Sequence, residues 1–384
     1  MQAPIRQNSS HSSRSSNFVQ HPGIHQPWSD WSEDQTLHIV GVYNNPFRWR
    51  KRRELFEDWR RHMRAAPNVK LYVVELAYGN RPFEITDPAR HENDVQLRTD
   101  CEMWHKENLI NAGVQRFPAG WQYGGYCDTD FTFTRYDWAL EAVHMLQHHQ
   151  FVQLFSSYAD LTGETSTSWS GHRPYRMNST IAWNFTHQDE FKAIRADRLE
   201  RRTREKQYGF AVPDDNKFPF GLAPGATGGA WAWRRQAFDT VGGMLDTCIL
   251  GSGDWHMAFA LIGRYGFDIQ TERGRNTAGH TRSVEQWMAR AAKLEMHPGK
   301  SAIGCVDNFA VHHFHGSKLD RAYGERWQIL KKHLFDPATD LTRDWQGVWR
   351  WTGNKPGLRD DVRRYFLNRN EDDTTAGASE RPMV

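Results

Sequence analysis

The chain has 384 residues, enough for one large α/β domain or two smaller ones. Its formal net charge of +3 is too small to indicate a nucleic-acid-binding protein on charge alone. The four cysteines lie far apart and form no Cys-x-x-Cys pair, so neither a zinc site nor a disulfide framework is indicated. Because no apolar run approaches the roughly 20 residues that span a bilayer, and no signal-peptide core is found, we expect a cytoplasmic protein.

The predicted folded region lies between two polar segments. Residues 1–34 are rich in Ser, His, Gln and Pro, which is typical of a disordered arm. Residues 371–384 are also polar and are predicted to be a disordered tail. We expect residues 35–370 to form one α/β domain, in which the less regular stretch 156–228 is an insertion or acceptor-binding region.

The first half of this domain has the pattern of alternating strands and helices. Leu37–Tyr43 is a predicted strand, Glu54–Met63 a predicted helix and Val69–Leu76 a second strand. Such a unit has parallel strands, whose following loops share one rim of the sheet. A helix is then predicted over Thr99–Ala112, and another from an N-cap at Thr134 to Gln150.

Charged residues near the first rim are candidates for ligand binding. Arg48, Arg50 and Arg53 follow the first strand, where open α/β sheets bind ligands, and arginine suits bidentate phosphate contacts. A solvated basic helix face is the alternative. Glu75, near the end of the second strand, is a candidate for contacting a nucleoside base or ribose, or a charge that simply closes the strand.

Two aspartates one residue apart follow an aromatic, strand-like run. If that run stays extended, alternation directs Asp128 and Asp130 to the same side, where both can hold one Mg²⁺ or Mn²⁺. These ions take few carboxylates and leave their other positions to water and substrate phosphates. A solvated turn is the alternative for this common pattern.

Later in the chain, glycines and acids mark further candidates. Gly229 lies in a Gly-Gly pair that allows close approach to the backbone, and Trp231 is either a platform for a sugar or a core residue. Asp254 is either a general base or the cap of a helix predicted over Ala258–Arg264. The basic stretch Glu190–Gln207 is predicted to be a helix that contacts an acidic polymer, or a solvated helix.

In chain order, these stretches resemble metal-dependent glycosyltransferases of the GT-A fold, most closely the β-1,4-galactosyltransferase type and related bacterial and phage enzymes. Pro46-Phe47-Arg48-Trp49-Arg50 resembles the Pro-Phe-Arg-x-Arg loop that binds the donor nucleotide. Residues 104–113 resemble the Phe-Asn-Arg-Ala-Lys-Leu-Leu-Asn-x-Gly helix, with Lys106 where an Arg contacts the diphosphate. Asp128-Thr129-Asp130 matches the Asp-x-Asp motif.

The second half continues the resemblance. Residues 228–243 are similar to the Gly-Gly-x-x-Ala segment, and Asp254 lies where a Gly-Trp-Gly-x-Glu-Asp acceptor motif occurs, with one acid in place of two. The stretch 311–317 resembles the strand that gives the third protein ligand to the metal. His315 is the predicted ligand, with His312 and His313 as alternatives; strand alternation places His313 and His315 on one face and His312 on the other.

The resemblance implies a fold, a reaction and a set of site residues. The fold is a Rossmann-like, mixed and mainly parallel sheet flanked by helices. The resemblance implies that Mn²⁺ or Mg²⁺ is held by Asp128, Asp130 and His315, and that Asp254 is the general base of an inverting transfer from a nucleotide sugar, expected to be a UDP-sugar. The implied donor-binding residues are Pro46, Arg48, Arg50, Arg53, Glu75, Lys106, Asp128, Gly229 and Trp231.

The acceptor and the cellular setting are less determined. A hydroxylated base in DNA, a glycan and a protein are all compatible acceptors, in the cytoplasm of a bacterial cell or a phage-infected host. A nucleotidyltransferase is disfavoured because residues 44–48 lack a Gly-rich phosphate loop. A non-catalytic carbohydrate- or nucleic-acid-binding protein is the remaining alternative.

Overall fold

The structure is a computed structural model that describes residues 35–161, 174–187, 225–263, 277–294, 302–316, 320–322 and 325–372. Its strands are β1 Leu37–Asn44, β2 Val69–Tyr78, β3 Asp94–Thr99, β4 Tyr123–Cys127, β5 Phe131–Phe133, β6 Phe151–Gln153, β7 Ser157–Leu161, β8 Pro174–Ser179, β9 Ala230–Arg234, β10 Ile303–Cys305, β11 Phe309–His312, β12 Leu341–Arg343 and β13 Trp349–Trp351. Its helices are α1 Arg50–Ala65, α2 Lys106–Val114, α3 Trp138–Leu146, α4 Ile181–Thr186, α5 Arg235–Val241, α6 Gly253–Leu261, α7 Ala278–Ala291, α8 Trp327–Lys332, α9 Pro337–Asp340 and α10 Pro356–Leu367.

The main sheet has seven strands in the order β10-β6-β9-β4-β1-β2-β3. Strand β1 pairs in parallel with β2 and with β4, and β3 extends the parallel set beyond β2. Only β9 runs against its neighbours, β4 and β6, while β10 is parallel to β6. The predicted α/β class with a mixed, mainly parallel sheet is therefore confirmed.

Helices cover both faces of this sheet because β1 alternates between two cores. Ile39 packs in one core with Trp59 of α1, and Val40 packs in the other with Leu109 of α2. Gly41 lets α1 approach β1 closely, since a Cβ at this position would lie 1.9 Å from the Trp59 ring. A second sheet has the strand order β5-β11-β7-β8. Strand β5 directly follows β4 in the chain, and β11 ends at His312, a residue of the candidate site.

Several predicted elements are confirmed and others are corrected. The first two strands and their parallel pairing are confirmed. The helix predicted from Thr99 instead begins at Lys106. Residues Asp94–Thr99 form β3, which the pattern missed because this edge strand alternates buried and half-buried positions without a strong apolar run.

Two other helix starts also differ from prediction. Thr134 does not cap a helix; its hydroxyl donates to the carbonyl of Phe309, and α3 begins at Trp138. The helix predicted from Ala258 begins earlier, at Gly253, so Asp254 lies in its first turn. Ser252 is the N-cap residue and has a positive φ of 70°, so Asp254 does not occupy the cap position.

The C-terminal segment continues past the predicted boundary at residue 370. Asp372 accepts hydrogen bonds from the backbone nitrogens of Arg50 and Lys51 at 3.0 and 2.8 Å, and so satisfies the first donors of α1. Glu371 is 1% exposed. The structure therefore extends the folded region by at least these two residues.

Some predictions lie partly or wholly outside the described residues. The arm 1–34, the basic stretch Glu190–Gln207 and residues 373–384 are among them. Of the insertion region 156–228, the structure describes β7, β8, α4 and a short segment before β9. None of the described helices combines the length and apolar character needed to cross a membrane.

Candidate functional site

A cavity of about 130 Å³ lies at the carboxyl ends of β1 and β4. At this point the order of strands reverses direction, because β2 follows β1 on one side and β4 lies on the other. Open α/β sheets bind ligands at such a switch point. Aromatic rings supply much of the wall, namely Tyr43, Phe47, Trp49, Trp104, Tyr126 and Phe366.

The two aspartates reach this cavity from a turn. Strand β4 ends at Cys127, and the backbone nitrogen of Phe131 donates to the carbonyl of Asp128 at 3.1 Å, closing a tight turn. The run is therefore not extended through Asp130, and the alternation argument for a shared side fails. The two carboxylates have different partners.

Asp128 pairs with Lys106. The lysine Nζ lies 2.9 Å from Oδ1 and 3.0 Å from Oδ2 of the carboxylate. Burial raises the pKa of Asp128 to about 6, although the lysine opposes this shift. Burial lowers the pKa of Lys106, but the negative charges of Asp128 and nearby acids raise it by more. The net result is a pKa well above the usual lysine value, so the ammonium stays charged. Lys106 therefore contributes a positively charged side chain to the lining of the cavity.

Asp130 instead faces two histidines. One ligand atom from each of Asp130, His312 and His315 lies within 4.8 Å of the others. His315 Nε2 is 2.5 Å from Asp130 Oδ2, and His312 Nε2 is 3.4 Å from the same oxygen. The register of β11 explains this arrangement, because His312 lies opposite Phe131 of β5, the residue after Asp130.

The predicted assignment of the histidines to faces is wrong. Strand β11 ends at His312, so alternation does not continue to His315, and both His312 and His315 reach Asp130. His313 points elsewhere, with its Nε2 2.9 Å from the hydroxyl of Thr132. Of the predicted ligands, the structure clusters Asp130 and His315, adds the alternative His312, and leaves Asp128 with Lys106.

Each clustered histidine has a carboxylate near its Nδ1 atom. His312 Nδ1 lies 2.5 Å from Oδ1 of Asp160, and His315 Nδ1 lies 3.7 Å from Oε2 of Glu371. Metal-binding histidines usually direct their second nitrogen to such a group, which fixes the ring orientation. Among the described residues, the buried Oδ1 of Asp130 has no hydrogen-bond partner. The donor set and this oxygen fit a divalent cation.

Ion pairs join the carboxylates and histidines of this cluster. Burial raises the pKa of Asp130, but His315 and His312 lower it by a larger amount. The net result is a pKa well below the usual aspartate value. Burial lowers the pKa of His312, whereas Asp130 and Asp160 raise it to about 9. Arg321 Nη2 also reaches His315 Nε2, at 2.9 Å. Metal binding must therefore release a proton from His312 and displace this guanidinium.

A buried anion from the C-terminal segment completes the wall. Glu371 accepts from Arg52 Nη2 at 2.6 Å and lies 3.0 Å from Nε of Arg369. Burial raises the pKa of Glu371, but the two arginines hold it well below its usual value. All three residues line the cavity. Glu371 was not predicted to be buried because a polar terminal segment has no apolar pattern that indicates burial.

The basic segment contributes a different arginine from those predicted. Arg52 lies on the helical face of α1 that carries the buried Phe56, four residues later. Arg48 and Arg50 are 67% and 78% exposed and pair with nearby glutamates. Arg53 is also exposed. These three do not line the cavity, whereas Pro46 does.

Glu75 has a structural role. Its carboxylate accepts from the backbone nitrogens of Ile85 and Thr86 at 3.1 and 2.9 Å, and from the Thr86 hydroxyl at 2.6 Å. These bonds fix the loop after β2. Glu75 is 2% exposed and does not line the cavity, so the structure gives no support to a nucleoside contact.

The glycine pair brings Asp254 and the Asp-x-Asp turn together. A Cβ at Gly228 would lie 2.1 Å from Asp254 Oδ2. Gly229 has φ of +90° and accepts from the backbone nitrogen of Asp128 at 2.7 Å. Asp254 is not among the residues that line the main cavity, but Gly228 and Gly229 connect it to the turn that carries Asp128 and Asp130. Trp231 is 5% exposed and packs in the core beside a smaller cavity that Asp254 also lines.

Glu107, beside Lys106, gives a testable pH dependence. Burial raises its pKa from 4.5 to about 7, so the folded protein holds a proton that the unfolded chain releases. The free energy of unfolding should therefore fall as pH rises from 4.5 through about 7, by about 3 kcal/mol from this group. Glu107→Gln should remove that loss. Denaturant unfolding at a series of pH values measures it, and a pH-independent difference from the wild type would contradict it.

The comparisons with known proteins give no family. No protein-family model matches this sequence, and no curated protein matches it at a significant level. The resemblance to GT-A glycosyltransferases therefore stays a prediction.

The carboxylates behind the histidines should control metal affinity. Asp160→Asn and Glu371→Gln each keep the side-chain shape but remove the negative charge that orients a ligand ring. We expect either change to weaken Mn²⁺ binding by roughly 10–100-fold. Calorimetric titration with Mn²⁺ measures this, with Asp137→Asn, a surface acid paired to Arg135, as the control. Equal affinity in all variants would exclude the proposed role.

Proposed function

We propose that this protein is a metal-dependent glycosyltransferase of GT-A type that transfers a hexose from a nucleoside-diphosphate sugar, expected to be a UDP-sugar, to an acceptor hydroxyl. The observation that carries the proposal is the cluster of Asp130, His312 and His315 beside a cavity at the switch point of the sheet. The unsatisfied Oδ1 of Asp130 supports a cation at this place.

The cavity has the chemistry that a nucleoside diphosphate requires. Its aromatic wall suits a base, and Lys106, Arg52 and Arg369 supply positive charge for the diphosphate. Asp128 would keep Lys106 oriented, and Pro46 would form part of the wall. When bound, Mn²⁺ or Mg²⁺ held by Asp130, His312 and His315 would stabilise negative charge on the leaving diphosphate.

Asp254 is the proposed general base. In a single displacement, the acceptor oxygen forms a bond to the anomeric carbon while the bond from that carbon to the diphosphate oxygen breaks. The acceptor hydroxyl proton passes to the Asp254 carboxylate, and the anomeric configuration inverts. The position of Asp254 beside Gly228, in the glycine pair whose Gly229 bonds to the backbone of Asp128, supports this role.

The test is donor hydrolysis, because it requires no knowledge of the acceptor. The full chain is incubated with Mn²⁺ and a panel of nucleoside-diphosphate sugars, and the release of nucleoside diphosphate is measured. We expect one donor to be consumed and excess chelator to stop the reaction. A donor that binds but is never consumed would instead favour a carbohydrate- or nucleic-acid-binding protein.

The acceptor is a separate question. DNA with a hydroxylated base, a glycan and a protein remain the candidate acceptors. The basic stretch Glu190–Gln207, on which the DNA hypothesis depends, lies outside the described residues. Salt-dependent retention on DNA would support that hypothesis.

A further inference from the structure

A second group of metal-ligating side chains lies in the protein interior. Cys248, His256 and His280 are 1%, 1% and 0% exposed, and one ligand atom from each lies within 4.8 Å of the others. Cys248 precedes α6, His256 lies on α6, and His280 lies in the first turn of α7. This group shares no residue with the cluster of Asp130, His312 and His315.

The spacing of the donors matches that of ligands around one ion. Cys248 Sγ lies 3.5 Å from Nε2 of His280. Tetrahedral zinc, with Zn–S and Zn–N bonds of about 2.3 and 2.0 Å, separates its sulfur and nitrogen ligands by about 3.5 Å. The rings of His256 and His280 are nearly perpendicular, at 87°, with centroids 5.9 Å apart, so their planes do not stack face to face.

We propose that Cys248, His256 and His280 bind a thiophilic divalent cation of the zinc class. A thiolate and two imidazoles form a donor set that selects zinc over the hard ions suited to the oxygen-containing Asp130 cluster. Binding replaces the proton of the Cys248 thiol with the metal and releases that proton to solvent. A fourth ligand position remains for a water molecule.

The surroundings of the group agree with this assignment. His280 is 0% exposed, and burial favours the neutral imidazole, which is the form that binds a metal. The site joins three segments, one of which is α6, the helix that carries Asp254. Its expected role is therefore to fix α6 against α7, and it is independent of the proposed transfer reaction.

Cobalt substitution tests the site with a signal that only a thiolate ligand produces. The full chain is stripped of metal with a chelator and titrated with Co²⁺, and absorption is recorded in the near ultraviolet. We expect a sulfur-to-cobalt charge-transfer band that saturates at one equivalent and disappears when Zn²⁺ is added. Cobalt bound by imidazole and carboxylate alone, as in the Asp130 cluster, lacks this band.

Three variants assign the band. Cys248→Ser should abolish it, whereas Cys305→Ser, at a buried cysteine outside both clusters, and Asp130→Asn should keep it. Zn²⁺ should raise the Tm of the wild type and of Cys305→Ser more than that of Cys248→Ser, in which only the Asp130 cluster remains. If Cys248→Ser does not fold, His280→Gln supplies the test, with an expected loss of at least about tenfold in cobalt affinity.

Two results would overturn the proposal. One is the absence of a charge-transfer band in the wild type at excess Co²⁺. The other is a band of unchanged strength in Cys248→Ser, or unchanged cobalt affinity in His280→Gln, since either would place the thiolate site elsewhere. In both cases the three side chains would be core residues, of which Cys248 and His280 share a thiol–imidazole hydrogen bond.

Discussion

Replacing Asp130 by Asn should reduce metal-dependent donor turnover by at least about 10²-fold, because it removes the one anionic ligand of the proposed metal site. The two histidines that remain are neutral donors once the metal binds. The variant would therefore hold the divalent ion, and the diphosphate bound to that ion, less tightly. When donor turnover by the variant is measured against Mn²⁺ concentration, only part of the lost activity should return at high Mn²⁺.

Asp128→Asn is the matched control for this substitution. Asp128 lies in the same turn but pairs with Lys106, at 2.9 Å, and is absent from the histidine cluster. We expect it to change Mn²⁺ affinity less than Asp130→Asn does, while weakening donor binding through Lys106. Circular dichroism checks that both variants fold. Full turnover by Asp130→Asn, or by the wild type in excess chelator, would refute the metal site.

Asp254→Asn should leave donor binding intact and slow transfer by about 10²–10⁴-fold, the range attributed to a general base. Asparagine has nearly the same shape but does not accept the proton of the attacking hydroxyl. Product formation with the identified acceptor, together with nucleotide affinity measured by calorimetry, separates the chemical step from binding. Product from the wild type should have the inverted anomeric configuration.

The neighbouring Gly228 gives a second way to examine this acid. A Cβ there would lie 2.1 Å from Asp254 Oδ2, so Gly228→Ala should displace the carboxylate and slow transfer without removing the acid. Thr240→Ala, at a half-buried position on α5, is a suitable control. A product that retains the donor configuration would argue against both the base and the single displacement.

The fold could be predicted well where its signal was local. The buried runs of β1 and β2 and the apolar spacing of α1 identified a parallel strand–helix–strand unit, which the structure confirms. The edge strand β3 and the start of α1 were missed. Asp372, more than 300 positions away in the chain, supplies the carboxylate at the start of α1, so no nearby residue indicated that end.

The candidate site was predictable only in its chemistry. The sequence indicated Asp128, Asp130 and the histidines near residue 313 as hard-metal ligands, but it did not assign their partners. A turn, rather than an extended strand, separates Asp128 from Asp130, and the pairing of β11 with β5 and β7 brings His312 to Asp130 and Asp160. These contacts depend on register between distant strands.

By itself, the sequence determined the α/β class and the residue types that reach the ends of the strands, because periodicity and turn residues act within a few positions. Tertiary structure decided which of those side chains share a cavity. Arg52 rather than Arg53 lines the cavity because it lies on the face of α1 that is buried. Glu371 also lines the cavity, where two arginines stabilise its negative charge. Cys248, His256 and His280, whose spacing matches no motif, meet only because α6 packs on α7.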